Sequence, residues 1–392
     1  MAWGVYGYRA LLVVGTILSG TSNSLFTKYQ DNQCVKYCDD PAKSKDFNQP
    51  AIQTLQMFMG ELSVFLVYYA IYLSSYAKKK RGYEAIESDE PTRTDTDDLS
   101  LIESLKLSVP SICDLCATTL MNIGLFYTPV SIYQMTRGSI VLFVAILSVL
   151  FLKRRITRLE WISLVTVTLG IAIVGYSGSR SSDESSATVT SPGESALVVF
   201  GISLVIAAVT FQAIQFVFEE YILAEKSIIP LKLVYIEGFY GFSIMLITLI
   251  VLNFIVGSLQ PKSKFIDSPF NLSESLSQTF SSKQIVMSSV LIMISIASFN
   301  FCGISLTHEL SATARSTIDT CRTLMVWLLA LVMGWESFHL LQFIGFVILV
   351  FGTLCFNGVL RPEEWSWVPT FLKTPGSHER LIDVVDEQIE RM

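Results

Sequence analysis

The chain has 392 residues, 51% of them hydrophobic and 16% charged, and a mean hydropathy of +0.50. A typical soluble domain carries about 25% charged residues, so an ordinary soluble globule is excluded. The net charge of −6 sits mostly in hydrophilic loops and tails, and with no basic groove or recognition motif it excludes a nucleic-acid partner.

Apolar runs of roughly 18 residues or more, the length that crosses a bilayer, recur at 7–29, 51–76, 105–127, 130–152, 158–177, 196–222, 231–256, 284–306, 311–333 and 338–359. The expected fold is all-α and integral to the membrane, with about ten transmembrane helices and the lipid bilayer as first partner. The first run holds Ser19-Gly20-Thr21-Ser22, which resembles a signal cleavage region. The further runs behind it make a retained signal anchor the expected form. Ser19, Asn23 and Thr27 recur every four residues and share one face. Such a stripe either faces a solute or hydrogen-bonds another helix, the latter worth about 0.6–2 kcal/mol per contact.

Lys78-Lys79-Lys80-Arg81 follows the second run, and Lys153-Arg154-Arg155 with Arg158 follows the fourth. Loops rich in Lys and Arg stay cytoplasmic, which puts both termini there too. The loop at 30–50 then lies on the opposite side, where disulfides persist. Its Cys34 and Cys38 are either bridged or two ordinary thiols. The loop near 257–283 shares that side and carries Asn271-Leu272-Ser273, an N-glycosylation sequon. The cytoplasmic loop after the second run contains Gly82-Tyr83-Glu84-Ala85-Ile86 and Asp97-Asp98-Leu99-Ser100-Leu101-Ile102. These have the Tyr-x-x-apolar and acidic-dileucine forms that sorting adaptors read, with Tyr83, Ile86, Leu101 and Ile102 as contacts. They favour a lysosomal or vacuolar address over the Golgi.

Ionisable residues within membrane segments are costly and mark functional candidates. Glu61 lies in the second run, Asp114 in the third, Glu219 in the sixth and Glu237 in the seventh. Buried carboxylates can carry a proton, so all four are candidates for proton coupling or gating. The bland alternative for Glu61 and Glu237 is pairing with Lys28, Arg137 or a helix end. In the fourth run Tyr133 and Gln134 precede Arg137 by one turn and offer a stacking face and an amide. In the sixth, Gln212 and Gln215 join Glu219 on one stripe. The ninth opens with Glu309-Leu-Ser-Ala-Thr-Ala-Arg315-Ser-Thr-Ile-Asp319-Thr-Cys-Arg322 and then runs apolar from Leu324 to Gly334. A charge at the bilayer centre costs about 2.5–3.5 kcal/mol on insertion scales. Arg315, Asp319 and Arg322 must therefore be paired, wetted or used. The candidate solute-binding set is Asn23, Tyr133, Gln134, Arg137, Gln212, Gln215, Arg315, Asp319 and Arg322.

Cys113 and Cys116 form a CxxC inside an apolar helix with no companion ligands, which reads as packing and not as a metal site. No Gly-rich phosphate loop follows a strand, the three histidines are scattered, and no nucleophile sits beside a base. Neither an enzyme nor a bound cofactor is expected.

Shifted by 182, the fourth and fifth runs overlay the ninth and tenth without gaps, so that Arg154 meets Glu336, Trp161 meets Phe343 and Gly170 meets Gly352. Five spans per half make such a repeat inverted, with a solute site between the halves. The expected units are a first repeat at 1–177, a loop at 178–195, a second repeat at 196–360 and a cytoplasmic tail at 361–392. The same shift sets Arg137 against Asp319. Either these two pair across the centre in one access state, or Asp319 pairs within its helix, where Arg315 and Arg322 share its face.

Several segments together resemble a known superfamily: Met57-Phe-Met-Gly-Glu61-Leu-Ser, Cys113-Asp114-Leu, Tyr133-Gln-Met-Thr-Arg137-Gly, Glu219-Glu220, Glu237-Gly-Phe-Tyr-Gly-Phe242, Phe299-Asn-Phe-Cys-Gly-Ile-Ser, and Glu309 through Gly334-Trp335-Glu336. The chain resembles the drug/metabolite transporter superfamily and, within it, the F subfamily of solute carrier family 35, especially a lysosome-associated member. The resemblance implies ten helices in a five-plus-five inverted repeat, alternating access and a central cavity for a small-molecule solute. A secondary-active transporter, driven by protons or not, is the reading it favours. A Golgi nucleotide-sugar antiporter is the first alternative. The second is a non-transporting scaffold, for which the tail offers Leu381, Ile382, Val385 and Ile389 at one-face spacing.

Overall fold

The computed structural model describes residues 2–36, 38, 45–47, 49–80, 105–128, 133, 136–153, 156–183, 192–226, 228–259, 261, 265, 268, 270–332, 338–362, 365 and 368–369. Gln134, the sorting residues Tyr83, Ile86, Leu101 and Ile102, and the tail helix face lie outside them. The described residues are mostly helical: α1 Ala2–Asp31, α2 Pro50–Lys80, α3 Ser108–Tyr127, α4 Ile140–Phe151, α5 Arg158–Asp183, α6 Pro192–Lys226, α7 Pro230–Leu259, α8 Leu272–Ser281, α9 Lys283–Glu309, α10 Ala312–Val332 and α11 Leu340–Phe356. Five of these are long and apolar enough to cross a membrane: the stretches Gly7–Asp31, Pro50–Ser74, Val199–Glu225, Pro230–Leu259 and Lys283–Glu309. Thr136–Phe151 and Leu340–Phe356 are shorter apolar helices.

Local chemistry sets the ends. Pro50, Pro192 and Pro230 each occupy the first helical position, where the missing N–H is no loss and the fixed φ already suits the helix. Before α5, Thr157 N–H donates to Glu160 Oε2 at 2.6 Å and Glu160 N–H to Thr157 Oγ1 at 3.3 Å, a reciprocal capping box. Past α11, Gly358 adopts φ 70° and its N–H reaches Cys355 O at 3.2 Å. Left-handed backbone of this kind is the ordinary residue-level stop for a helix.

Four elements differ from the sequence expectation. Among its described residues the fourth run is helical over Thr136–Phe151 with a turn at Ser139, where Ser139 Oγ and N–H both bond back to Thr136 O. Helix α5 runs on to Asp183, and α6 starts at Pro192, so helix enters both ends of the expected loop at 178–195. The polar stretch Ser177–Asp183 carries no hydropathy signal, which is why its helix was invisible. Finally, the all-α expectation misses a two-stranded antiparallel hairpin, β1 Cys34–Lys36 with β2 Lys45–Asp46, and the loop after α7 contains α8.

Helix pairs form along α5–α11, α3–α6, α1–α9 and α2–α7, with α1–α10 and α4–α6 behind them. Small residues permit the closest approaches. A Cβ on Gly170 would lie 2.7 Å from Leu349 N and 2.8 Å from Gly345 O. A Cβ on Gly352 would lie 2.9 Å from Val167 N and 3.0 Å from Ser163 O. An apolar core built on Val141, Val144 and Ala145 of α4, Leu164 and Val167 of α5, and Val205, Ala208 and Ala213 of α6 packs beneath α10 at Ala312.

Candidate functional site

Helix α10 carries two arginines seven residues apart, hence on nearly the same face. Each enters a different polar centre. Arg315 is 2% exposed and pairs with Glu219 of α6, which is fully buried. The Arg315 guanidinium donates to Glu219 Oε2 and lies 4.1 Å over the Phe216 ring. Gln215, one turn before Glu219, donates its amide to Glu219 Oε1 at 3.0 Å. Gly303 of α9 makes room for the arginine: a Cβ there would sit 2.8 Å from Arg315 Nε. Arg315 is therefore not paired with Asp319 on its own helix.

Three more carboxylates surround this pair. Glu61 of α2 and Glu237 of α7 are buried and Asp114 of α3 is half-buried. All of them interact electrostatically with Glu219 and Arg315. Glu61 Oε1 accepts a hydrogen bond of 2.5 Å from the Asn300 amide of α9, so its partner is that amide and not Lys28 or Arg137. Glu237 Oε1 is buried and accepts no hydrogen bond among the described residues. Its backbone carbonyl accepts from Ser111 Oγ at 2.9 Å. Glu61 and Glu237 lie at a close approach of α2 and α7, since a Cβ on Gly238 would lie 2.4 Å from Leu62 N and 2.7 Å from Glu61 Cβ. Four carboxylates thus share one guanidinium.

The second centre surrounds Arg322. It is buried, its Nε lies 3.3 Å from Asp319 Oδ1, and its guanidinium stands 5.0 Å from the Phe299 ring centroid. Arg137, half-buried, and Tyr133, buried, lie within electrostatic reach of Arg322. In this conformation Asp319 pairs within its helix. Gly20 of α1 admits the Arg322 stem, which a Cβ would meet at 2.6 Å. Asn23 is buried one turn further along α1.

The polar stripes divide. The hydroxyls of Ser19 and Thr27 bond back to Gly15 O at 2.5 Å and Asn23 O at 2.9 Å of their own helix, so they neither bridge helices nor point donors at a solute. Gln215 joins the acidic centre, while Gln212 is half-buried. Asn300, Phe216 and Phe299 also line these centres, although none of them was a candidate from the sequence. The signal was the segment Phe299-Asn-Phe-Cys-Gly303, whose amide and glycine sit inside an otherwise apolar helix.

Away from α10, Cys34 and Cys38 are joined by a disulfide with Cα atoms 5.8 Å apart. The hairpin beside it reaches α8: Lys36 Nζ lies 2.6 Å from Glu274 Oε1, and Gln49 accepts from Ser275 Oγ at 2.7 Å. Asn271, the sequon residue, caps α8 by accepting from Glu274 N–H at 3.3 Å. Cys113 is buried and Cys116 half-buried, and no group of metal-binding side chains assembles among the described residues.

A nucleotide-sugar transporter family model matches residues 35–256. An uncharacterized protein of Schizosaccharomyces pombe is 37% identical over 90% of this chain and 98% of its own. Mouse solute carrier family 35 member F6 is 33% identical over 97% of both chains. A solved crystal structure superposes with a TM-score of 0.58 at 12% identity, covering 91% of this chain and 99% of the other, which is a likeness of fold. Apolar helices of bilayer length, charges buried between them and full-length relatives agree: this multi-pass membrane transporter belongs to the nucleotide-sugar transporter family of the drug/metabolite transporter superfamily, beside the F6 member of solute carrier family 35.

Proposed function

We propose that the chain is a secondary-active transporter that moves a small organic solute by alternating access, with protons as the coupling ion. The carrying observation is the Glu219–Arg315 pair, shut away from solvent and ringed by Glu61, Asp114 and Glu237. A buried ion pair is poor value as a stabiliser, because desolvation offsets most of its attraction. A cluster with three carboxylates in excess is worse, and its retention between helices fits a site that exchanges protons or solute.

The architecture we propose is the five-plus-five inverted repeat, 1–177 and 196–360, separated by the segment 178–195, into which α5 and α6 extend, and followed by the tail at 361–392. Its support is geometric. Positions 170, 349 and 345 correspond to 352, 167 and 163 under the shift of 182 that aligns the halves. The two tight contacts between α5 and α11 are thus images of each other. The helix pairs behave alike: exchanging the halves turns α1–α9 into α3–α6 and α1–α10 into α4–α6, and leaves α2–α7 and α5–α11 unchanged. A solute then lies between the centres of Arg315 and Arg322, against Asn23, Tyr133, Gln134, Arg137, Gln212, Gln215 and Asp319. Tyr83 with Ile86 and Leu101 with Ile102, read by adaptors, would deliver the protein to the lysosome or vacuole with both termini in the cytoplasm.

The second reading, a Golgi nucleotide-sugar antiporter, draws on the family match over residues 35–256 and on Arg137 and Arg322 standing near Tyr133. Uptake into proteoliposomes with and without an inward proton gradient separates the two, using cationic amino acids, peptides, nucleotides and nucleotide sugars as solutes. Gradient-stimulated uptake abolished by Arg322→Ala supports the coupled carrier. Nucleotide-sugar exchange for a nucleoside monophosphate, indifferent to the gradient, supports the antiporter. Folded protein that moves none of them leaves the scaffold reading.

A further inference from the structure

The four carboxylates around Arg315 are not equivalent, and their differences assign the proton. Glu219 accepts from a guanidinium and from the Gln215 amide. Two donors, one of them charged, are what an ionised carboxylate needs. Asp114 is half-buried in the protein. Glu61 has a neutral amide donor in Asn300. Glu237 alone combines burial with an oxygen that receives no donor among the described residues. An ionised carboxylate only accepts hydrogen bonds, and a buried charge without a donor or counter-ion is the costliest arrangement open to it.

The surroundings point the same way. Glu237 faces Glu61 from α2, Asp114 from α3 and Glu219 from α6, with Arg315 of α10 the cation acting on it among the described residues. That cation is already engaged by Glu219. Like charges so placed cannot all ionise together. Burial of Gln215 Oε1, also without a hydrogen-bond donor, leaves a second acceptor in the same centre for a proton-bearing group to reach.

We infer that the exchangeable proton of this centre resides on Glu237, with Glu219–Arg315 staying ionised beside it and Glu61 held by Asn300. The inference rests on the proton-coupled reading and names the group that carries the coupling. On leaving, the proton departs a carboxylic acid and produces a carboxylate facing three others. That repulsion is relieved only if Arg315 or an incoming cation shifts toward Glu237. Proton loss is thereby linked to the position of the Arg315 guanidinium, which joins α10 to α6.

Infrared difference spectroscopy of the purified full chain across a pH step tests the assignment, with the proton itself as the probe. The wild type should show the C=O stretch of a protonated carboxyl at neutral pH. Glu237→Gln should remove it, whereas Glu61→Gln and Asp114→Asn should leave it in place. Thermal unfolding establishes that each variant is folded. Should Glu237→Gln not fold, Glu237→Asp must shift the band instead. A band that survives Glu237→Gln, does not move in Glu237→Asp, or is missing from folded wild type overturns the assignment. None of these outcomes involves transport, so uptake in proteoliposomes still decides the carrier reading separately.

Discussion

Arg315 and Glu219 join α10 to α6 through an ion pair from which solvent is excluded on both sides, 2% and 0% exposed. Removing one member strands the other charge in a low-dielectric interior. Arg315→Met or Glu219→Gln alone should therefore destabilise the protein by about 3–5 kcal/mol. The double variant should recover most of that loss, since a buried pair can be replaced by apolar groups near neutrally. Transport should stay lost in all three. Thermal unfolding of the purified proteins, read beside uptake, checks both halves of the expectation. Additive losses in the double variant would mean that the two residues do not act as a pair.

The proposed repeat makes a second prediction. At Gly170 and Gly352 an added Cβ meets backbone atoms under 3 Å away, and backbone cannot swing aside as a side chain does. Gly170→Val and Gly352→Val should each separate α5 from α11 and cost about 1–3 kcal/mol through overpacking. Symmetry further requires the two losses to be similar. Gly7→Ala is the control, because nothing lies within 4 Å of its Cβ position. Unequal losses, measured by thermal unfolding at matched detergent, would argue against the shift of 182 as a structural relation.

The close approach of α5 and α11 left a trace in the sequence, since Gly170 and Gly352 stand at matching places under the shift of 182. Five of the ten expected spans are matched by helices long and apolar enough to cross a membrane, because bilayer length and hydropathy are coupled. Polar helix ends were not legible: Ser177–Asp183 continues α5 without any apolar residue to announce it. The charged candidates were legible one by one, as rare ionisable groups among apolar ones. Their partners were less so. Intrahelical spacing offered Asp319 to both Arg315 and Arg322, and only the approach of α6 decides that Arg315 goes to Glu219. Spacing along one helix says who shares a face; it does not say which other helix faces it. Asn300 was missed for a similar reason, since an asparagine in an apolar helix shows its value only beside Glu61.

The contacts between the first loop and the helices across from it should contribute unequally. Lys36–Glu274 is an ion pair about a third and a quarter exposed, so solvent screening keeps it weak. Lys36→Ala should cost less than about 1 kcal/mol. Deeper in, Gln30 is fully buried, donates to Ser289 Oγ at 2.8 Å and accepts from Gln53 at 3.1 Å. Gln30→Leu leaves the Gln53 amide and the α9 carbonyl region with fewer partners, at about 1–3 kcal/mol. A ranking in which Lys36→Ala is the more damaging would show that the exposed pair has a role beyond stability.

Asp319 and Arg322 pair within α10, while Arg137 faces Arg322 from the fourth segment. Two like charges held close need an anion between or beside them, and Asp319 supplies one. Asp319→Asn should thus lower stability modestly, by about 1–3 kcal/mol, through loss of a charged partner, and should weaken discrimination between anionic and neutral solutes. Exchanging the pair, Asp319→Arg with Arg322→Asp, keeps the intrahelical contact but moves the positive charge by one turn. Stability should then recover over the single reversals while uptake stays low, because the charge no longer stands over Phe299. Reversing both Arg137 and Asp319 instead tests a contact across the centre. Recovery of uptake there, and not in the exchanged Asp319–Arg322 pair, would mean that Asp319 changes partner from its own helix to the facing segment during the transport cycle.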